Sequence, residues 1–271
     1  MRVLDAIDRR GSFAAAADEL DAMLFDRSGH RTKFTPAGRM LLERGRVLLE
    51  AAEHLVGETR ALARGWETDI TIAVDALVPV QALYPLVERL AELTDTRLRF
   101  RAEVLAGSWE CLEDGRADLL ISSLNPDIMM TSIKHQALQE EVMLYVAHPD
   151  HPLHREPEPL ADETLRRYRA IAVADSALRK PVLTYRLLDK QPRLTVSTMT
   201  EKRDALLAGI GVGTMPLSWI EEDIKAGQLK VISPEYRHQI QVVLAWRRDT
   251  MGKAKSWLVR EIPKLFPCKG E

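Results

Sequence analysis

Small hydroxyl residues stand at or near the ends of several short aliphatic runs in the sequence. These residues are Ser108, Ser122, Ser123, Ser176, Thr198 and Thr214. If the aliphatic runs are strands of an open parallel sheet, ligands bind beyond their carboxyl ends, where loops and helix N-termini present free N–H groups. A hydroxyl there can hydrogen-bond a ligand or cap the helix that follows, and capping is the commoner role. The pattern is typical of a site that hydrogen-bonds a small molecule.

Other reactive residue types lack the spacing that catalysis or metal binding needs. His148, His151 and His154 lie three residues apart, but the prolines of HPDHPLH exclude a helix that would align them, so we expect a turn. The glycines of GIGVG at 209–213 follow a helical pattern and precede a strand, the reverse of a nucleotide-binding turn, and predict a helix C-cap. The sequence contains no nucleophile elbow, kinase signature or phosphate loop. We therefore expect no enzymatic activity, no metal and no cofactor.

The elements that must position the hydroxyl residues alternate between strand and helix from residue 69 onwards. DITIAV, RLRFRAEVL and ADLLISS are predicted strands, with VQALYPLVERLAEL and SWECLEDG as the helices between them. This βαβαβ order predicts a parallel, doubly wound sheet of the α/β class. A loop rich in proline and histidine follows VMLYVA and predicts a boundary before a second α/β unit. The late strand IQVVLAWRRD and the helix GKAKSWLVREIPKLF close the chain, so we expect two strands to cross between two lobes.

A long helix is predicted upstream, because residues 36–65 carry an apolar pattern of helical period over many turns. Its leucines recur every seven residues, which gives a narrow stripe typical of a coiled-coil face. We interpret the segment as a connector that associates with a second copy of itself. The alternative is a long core helix packed on its own domain. The predicted dimer contacts are Leu41, Leu48, Ala52 and Leu55.

Length and charge fit a protein of two or three domains with one cationic region. The chain has 271 residues, 46% hydrophobic and 29% charged, and a formal net charge of −2. Between residues 27 and 49, six cationic side chains face one anionic side chain. That excess suits a polyanion such as DNA, although chance clustering on a solvated surface explains it equally well.

The cysteines and the apolar runs bear on the compartment. Cys111 and Cys268 lie far apart without metal-ligand spacing, so neither a disulfide framework nor a zinc site is indicated. No apolar run approaches the roughly 20 residues of a membrane span, and the first residues lack the apolar core of a secretory signal. We expect a cytoplasmic protein that does not associate with membranes.

Two strings carry a family resemblance. GSFAAAADEL and LFDRSGHRTKFTPAGRMLLERGRVLL resemble the DNA-binding head and linker helix of LysR-type transcriptional regulators, and the resemblance covers nearly the whole chain. It implies a winged helix-turn-helix head, a linker and dimerisation helix, and a two-lobed effector-binding domain like that of periplasmic binding proteins. The implied ranges are 1–35 for the head, 36–66 for the linker helix and 67–271 for the effector domain, with lobe I at 67–143 and 242–271 and lobe II at 144–241.

The head departs from the family pattern at one place. In the family, a turn and a recognition helix that enters the major groove separate the second helix from the wing, but here Leu20 runs almost directly into Phe25. The sequence leaves open whether this segment is deleted from the protein or is missing only from the sequence as it stands. The residues expected to contact DNA are Ser12, Arg27, His30, Arg31 and Lys33.

The resemblance implies a homodimer or homotetramer that binds double-stranded promoter DNA and senses a small organic effector between its lobes. The family's effector contacts include hydroxyl residues after the first strand of the cleft, whereas residues 75–79 here read Asp-Ala-Leu-Val-Pro. This apolar loop favours a flat, apolar effector such as an aromatic compound. The alternative is a cytosolic small-molecule binding module of the same fold without sequence-specific DNA binding. The predicted effector contacts are Ala76, Leu77, Val78, Ser108, Ser122, Ser123, Ser176, Thr198, Met199, Thr214 and Met215.

Overall fold

The computed structural model describes most of the chain and divides it between Ala63 and Arg64 into two compact units. The described residues are 23–26, 33–42, 44–45, 63, 65–124, 132–181, 183, 187–248 and 251–266. Within them, no helix is both long and apolar enough to cross a bilayer.

The N-terminal unit contains a short hairpin followed by the start of a helix. Strands β1 (Phe25–Asp26) and β2 (Lys33–Phe34) pair antiparallel, and residues 36–42 and 44–45 are helical. The Thr35 hydroxyl donates to the Met23 carbonyl at 2.6 Å and accepts from the Gly38 amide at 3.0 Å, so it fixes the helix start to the hairpin. A Cβ at Gly38 would lie 2.1 Å from the Leu24 carbonyl oxygen, so this contact requires glycine.

The C-terminal unit alternates strands and helices over residues 65–266. Its strands are β3 (Asp69–Asp75), β4 (Arg97–Glu103), β5 (Leu119–Ser123), β6 (Ile133–Ala147), β7 (Ala170–Val173), β8 (Arg193–Val196), β9 (Val212–Pro216), β10 (Lys230–Val231) and β11 (His238–Arg247). Its α-helices are α1 (Tyr84–Ala91), α2 (Ala106–Glu113), α3 (Asp162–Arg166), α4 (Met199–Leu207), α5 (Leu217–Lys225) and α6 (Lys253–Glu261). Short 3₁₀ turns lie at Val80–Leu83, Pro152–Arg155, Pro234–Tyr236 and Ile262–Leu265.

One mixed sheet joins all of these strands. Its order is β4-β3-β5-β11-β6-β9-β7-β8, with β10 paired to the C-terminal end of β6. The strand pairs near both ends of the order are parallel, whereas the long strands β6 and β11 run antiparallel to each other and to their neighbours. The predicted α/β class is confirmed, and β6 and β11 are the two strands expected to cross between lobes.

Apolar packing separates the sheet into two lobes, each with a core on both faces. Lobe I contains β3, β4, β5, α1, α2 and α6, and its cores include Ile72, Trp109 and Leu244. Lobe II contains β7, β8, β9, α3, α4 and α5, and its cores include Leu206 and Tyr145. Strand β6 contributes to the cores of both lobes. The lobe and domain limits predicted from the sequence stay predictions.

Some local features differ from the predicted elements, and others agree with them. The helix expected from Val80 begins as a 3₁₀ turn and becomes α-helical only at Tyr84, where a proline sits in the first turn. The predicted C-cap at GIGVG is confirmed. Gly209 has φ 70°, its amide bonds the Leu206 carbonyl, and the Ile210 amide bonds the Ala205 carbonyl, which is the Schellman arrangement.

Candidate ligand-binding site

A cavity of about 120 Å³ lies where the carboxyl ends of strands from both lobes meet. Lobe I lines it with Asp75, Ala76, Leu77, Val104, Leu105 and Ser123. Lobe II lines it with Ala172, Val173, Leu187, Met199, Lys202 and Thr214, and the crossing strands add Met143 and Ile240. The volume is similar to that of the roughly 150 Å³ cavity that holds benzene in a protein interior. The space therefore suits a compact ligand about the size of one ring.

Asp75, the last residue of β3, organises the lobe I wall. Its carboxylate is buried and accepts hydrogen bonds from the Ser108 hydroxyl at 2.7 Å, the Ser122 hydroxyl at 3.1 Å and the Leu77 amide at 3.1 Å. Burial nevertheless raises the pKa of Asp75 above its usual range, because desolvation outweighs the effect of these hydrogen bonds. Each serine hydroxyl donates its one hydrogen atom to this carboxylate. Ser108 and Ser122 therefore hold Asp75 in place and do not themselves line the cavity.

The residue before α2 has an unusual backbone. Leu105 has φ 50° and ψ −121°, a region that non-glycine residues rarely adopt. Leu105 also lines the cavity. Strained conformations of this kind cluster at binding sites, where the surrounding contacts hold them in place.

Lobe II contributes a buried lysine. Lys202 lies on the buried face of α4 with Met199 and Leu206, and 9% of its surface is exposed. A Cβ at Gly213 would lie 3.0 Å from Lys202 Cε, so the lysine stem crosses the backbone of β9 at a residue without a side chain. Burial lowers the pKa of Lys202 to about 8. A buried ammonium without a counter-charge is costly, so the position is a candidate for function.

Thr214 lies next to Gly213 on β9 and also lines the cavity. Its backbone is paired with Tyr145 of β6. Its hydroxyl is buried and has no hydrogen-bond partner among the described residues. A hydroxyl can both donate and accept one or more hydrogen bonds, so a bound molecule could satisfy it.

Two sets of contacts hold the lobes together beside the cavity. The Ser176 hydroxyl, after β7 of lobe II, donates to Glu103 Oε2 at 2.5 Å and accepts from the Val104 amide at 2.9 Å. The Trp219 indole of α5 donates to the Leu77 carbonyl at 3.0 Å. A Cβ at Gly107 would lie 2.1 Å from Ser176 Oγ, so the close approach of the lobes requires glycine there.

A loop of lobe II also wraps the side chain of Glu110 on α2. Glu110 Oε2 accepts from three consecutive amides, Leu178, Arg179 and Lys180, each at 3.1 Å. These N–H groups lower the pKa of Glu110 below its usual range, because they favour the charged carboxylate. We call this contact the Glu110 latch.

The structure places ten of the eleven predicted effector contacts in four groups. Five of them line the cavity: Ala76, Leu77, Ser123, Met199 and Thr214. Ser108 and Ser122 support Asp75, and Ser176 belongs to the contact between lobes. Val78 and Met215 are buried in the cores of lobes I and II.

Thr198 has a different role in the structure. Its hydroxyl accepts from the Glu201 amide at 3.1 Å, and the Glu201 carboxylate accepts from the Thr198 amide, which together form a capping box at the start of α4. Thr198 is exposed and does not line the cavity. It is therefore a helix cap, the commoner of the two roles considered for such residues.

The predictions for the N-terminal unit lie largely outside the described residues. Ser12, Arg27, His30 and Arg31 are outside them, as are Leu48, Ala52 and Leu55. Lys33 lies in β2, and Leu41 lies in the helical segment 36–42. The DNA-contact and dimer-contact assignments stay predictions.

Nine of the fourteen cavity residues were not predicted from the sequence, and two of these nine, Asp75 and Lys202, carry ionisable side chains. Asp75 had a signal in the sequence, because it is an acid at the end of a buried strand. Lys202 had a clearer signal, because Met199, Lys202 and Ala205 share the buried face of α4. A lysine at an apolar position of a helical pattern points to a buried charge.

The histidine segment shows local contacts. His151 Nδ1 accepts from the Leu153 amide at 3.3 Å, and His148 Nδ1 accepts from the Asp150 amide at 3.3 Å. In the part of the chain that the structure describes, no group of three or more His, Cys, Asp or Glu side chains is placed to hold a metal ion.

Comparison with known proteins identifies the family. Residues 63–266 match the LysR substrate binding domain, and the chain belongs to the LysR-type transcriptional regulators. It is 58% identical to the probable HTH-type transcriptional regulator YhaJ of Escherichia coli over 290 aligned positions, which cover 99% of this chain and 96% of that protein. It is 33% identical to the uncharacterized regulator YeeY of Escherichia coli, over 97% of this chain and 91% of that protein.

A solved structure has the same fold. Full-length LysG from Corynebacterium glutamicum with bound effector Arg superposes with a TM-score of 0.58 at 18% identity and covers 97% of this chain and 95% of that one. The sequence identities place the chain in the YhaJ-like branch of the family, which the strings FDRSGHRTKF and LDKQPRLTVST also indicate. The chain is thus a transcriptional regulator with an effector-binding domain.

Proposed function

We propose that a small, largely apolar organic molecule binds in the cavity between the lobes and controls the regulator. The observation that carries this proposal is one cavity lined by both lobes, with a mostly apolar wall and two polar groups, Lys202 and Thr214, that lack described partners. Ligand pockets in proteins commonly combine apolar walls with a few polar groups that fix orientation. In this proposal the protein binds and releases its ligand unchanged.

The cavity favours a compact ligand with an apolar body. Ala76, Leu77 and Leu105 form an apolar surface on lobe I, and Met199 and Val173 face it from lobe II. A flat ring would contact both surfaces at once, which accords with the aromatic effector predicted from the loop at residues 75–79. Of the predicted effector contacts, we propose that Ala76, Leu77, Ser123, Met199 and Thr214 touch the ligand directly.

The contacts between lobes indicate how binding could be transmitted. A ligand in the cavity adds contacts between the lobes to those of Ser176, Trp219 and the Glu110 latch, so it would favour the arrangement in which the lobes are closed. A ligand changes a conformational equilibrium only by its difference in affinity for the two states. We propose that this shift alters how protomers pack in a homodimer or homotetramer, and through them the spacing of the DNA-binding heads on promoter DNA.

For the head, we propose that the wing contacts the DNA backbone. The described part of the wing is the hairpin of β1 and β2, fixed to the following helix by Thr35 and Gly38. The alignment with YhaJ spans 290 positions against 271 residues in this chain, so the relative has residues without a counterpart here. If they include the recognition helix, the present chain would bind DNA mainly through phosphates, as in the alternative of a binding module without sequence specificity.

Two experiments test these proposals. Calorimetric titration with a panel of one-ring aromatic compounds should find a ligand whose binding is lost in Ala76→Phe, which fills the cavity, and kept in Ala91→Phe, at an exposed position of α1. A best ligand that binds both variants equally well would exclude the cavity as its site. Fluorescence anisotropy should give similar, salt-sensitive affinities for a promoter fragment and a random duplex, and a large preference for the promoter would contradict the proposed loss of specificity.

A further inference from the structure

Lys202 has no charged partner in the described structure. Burial lowers its pKa, and no carboxylate among the described residues lies within 4.0 Å of its ammonium group. The acidic residue that lines the cavity, Asp75, accepts hydrogen bonds from Ser108, Ser122 and Leu77 on lobe I. The cavity therefore contains one cation whose charge a ligand can neutralise.

The position of the lysine is set by its surroundings. Its stem crosses Gly213, where any side chain would approach Cε to 3.0 Å. The same glycine Cβ position lies 3.0 Å from the Ile171 carbonyl oxygen, so the space is limited from both sides. The stem is thus confined over β9, and both Lys202 and the next β9 residue, Thr214, line the cavity.

The orphan hydroxyl of Thr214 is a second, independent sign of a ligand. Thr214 is 5% exposed, and its Oγ1 is buried without a described partner. Buried polar groups in proteins are nearly always hydrogen-bonded, so a group like this one requires an explanation. An anion that accepts from both the ammonium and the hydroxyl would satisfy both groups at the same time.

The rest of the wall limits what the anion can be attached to. Leu77, Leu105 and Met199 offer no hydrogen bonds to a polar ligand body, and the volume of about 120 Å³ leaves room for about one ring. Apart from the Ser123 hydroxyl, a second anionic group would face Asp75 or apolar side chains. A single anionic group on an apolar body fits the arrangement best.

We propose that the effector is a compact monoanion, of the class of one-ring aromatic carboxylates, whose carboxylate is held by Lys202 Nζ and Thr214 Oγ1 of lobe II. The ring then lies against Ala76, Leu77 and Met199. This inference rests on the proposed function, because it assigns the chemistry of the ligand that occupies the cavity. Lys202 and Thr214 act as the specificity-determining pair.

The test compares acids with neutral molecules of the same shape. Benzoate, 4-hydroxybenzoate and phenylacetate are each titrated against their primary amides by calorimetry, using the full chain. At least one carboxylate should bind more tightly than its amide to the parent protein. In Lys202→Met its affinity should fall about 10- to 100-fold, because a charge-assisted hydrogen bond is lost, while the affinity of the amide changes little. The matched control Lys225→Met, at an exposed position of α5, should leave both affinities unchanged.

Thr214→Val gives a second measurement that does not depend on the charge. It preserves shape and removes a hydroxyl without a described partner, so the variant should fold and bind the carboxylate about 3- to 10-fold more weakly. No preference for any carboxylate over its amide, or a preference that survives in Lys202→Met, would overturn the inference. An amide that binds as tightly as its acid and is lost in Ala76→Phe would overturn it while leaving the proposed function intact.

Discussion

Replacing Lys202 by methionine should stabilise the ligand-free protein while it weakens ligand binding. Methionine has a similar length and a similar helix propensity, so it can fill the space of the lysine stem in α4. It removes an ammonium group that is buried without a described counter-charge. A residue whose removal increases stability and decreases binding has a role in function.

The expected increase in the free energy of unfolding of Lys202→Met follows from the lowered pKa of Lys202. Burial lowers the pKa of Lys202 from 10.5 to about 8, and at about 1.4 kcal/mol for each tenfold change in the protonation equilibrium this corresponds to about 3 kcal/mol. The pKa of Lys202 is lower in the folded protein than in the unfolded chain, so the charged ammonium group destabilises the fold. This destabilisation is fully present below pH 8, decreases between pH 8 and pH 10.5, and is absent above that range. For Lys202→Met, this free energy sets an upper limit of roughly 6 to 12 °C on the rise in Tm near neutral pH.

The assay is thermal and urea unfolding of the parent, Lys202→Met and the control Lys225→Met at pH 7 and at pH 10. The gain in Lys202→Met should be clear at pH 7 and much smaller at pH 10, whereas the exposed control should change little at either pH. A loss of stability at pH 7 in Lys202→Met would show that the ammonium group has a stabilising partner, and the reasoning about its free charge would then be refuted.

Three other perturbations test separate parts of the structure. Glu110→Gln should speed hydrogen exchange at the amides of residues 178–180, because the charged acceptor of the latch is lost, and unchanged exchange would exclude a role for the latch. Thr198→Val should lower the free energy of unfolding by about 1 kcal/mol and leave ligand affinity the same, whereas a large loss of affinity would restore Thr198 as a contact. Glu at both Leu48 and Leu55 should reduce the mass in sedimentation, and an unchanged mass would exclude the predicted dimer stripe.

The arrangement of strands and helices was predictable because local periodicity determines it. The alternation from Asp69 onwards predicts the βαβαβ order, and β3, β4 and β5 form parallel pairs as expected. The glycine turn at 209–213 was also readable, because a helix end followed by glycine has few backbone solutions. These features depend on neighbouring residues alone.

The site was only partly predictable, because its details depend on contacts between distant residues. Ala76, Ser123 and Thr214, which the sequence predicts as effector contacts, line one cavity, as expected if strand ends meet at one edge of the sheet. The hydrogen bond from Ser108 to Asp75, 33 residues earlier in the chain, has no local signal in the sequence. The Glu110 latch likewise joins residues about 70 positions apart.

The role of Thr198 illustrates the same limit. A threonine before a helix can serve as a cap or as a ligand contact, and the sequence T-x-x-E from Thr198 to Glu201 already matched a capping box. In the fold Thr198 caps α4 and is exposed, whereas Met199 and Lys202 turn inward, and a ligand contact of Thr198 stays a prediction.

The most direct measurement is a crystal structure of the protein with the aromatic carboxylate that binds most tightly. The account predicts density for the ring between the lobes, with carboxylate oxygens at hydrogen-bond distance, about 2.7–3.2 Å, from Lys202 Nζ and Thr214 Oγ1. Density outside the cavity, or a ligand in the cavity whose carboxylate turns away from Lys202 towards lobe I, would contradict it.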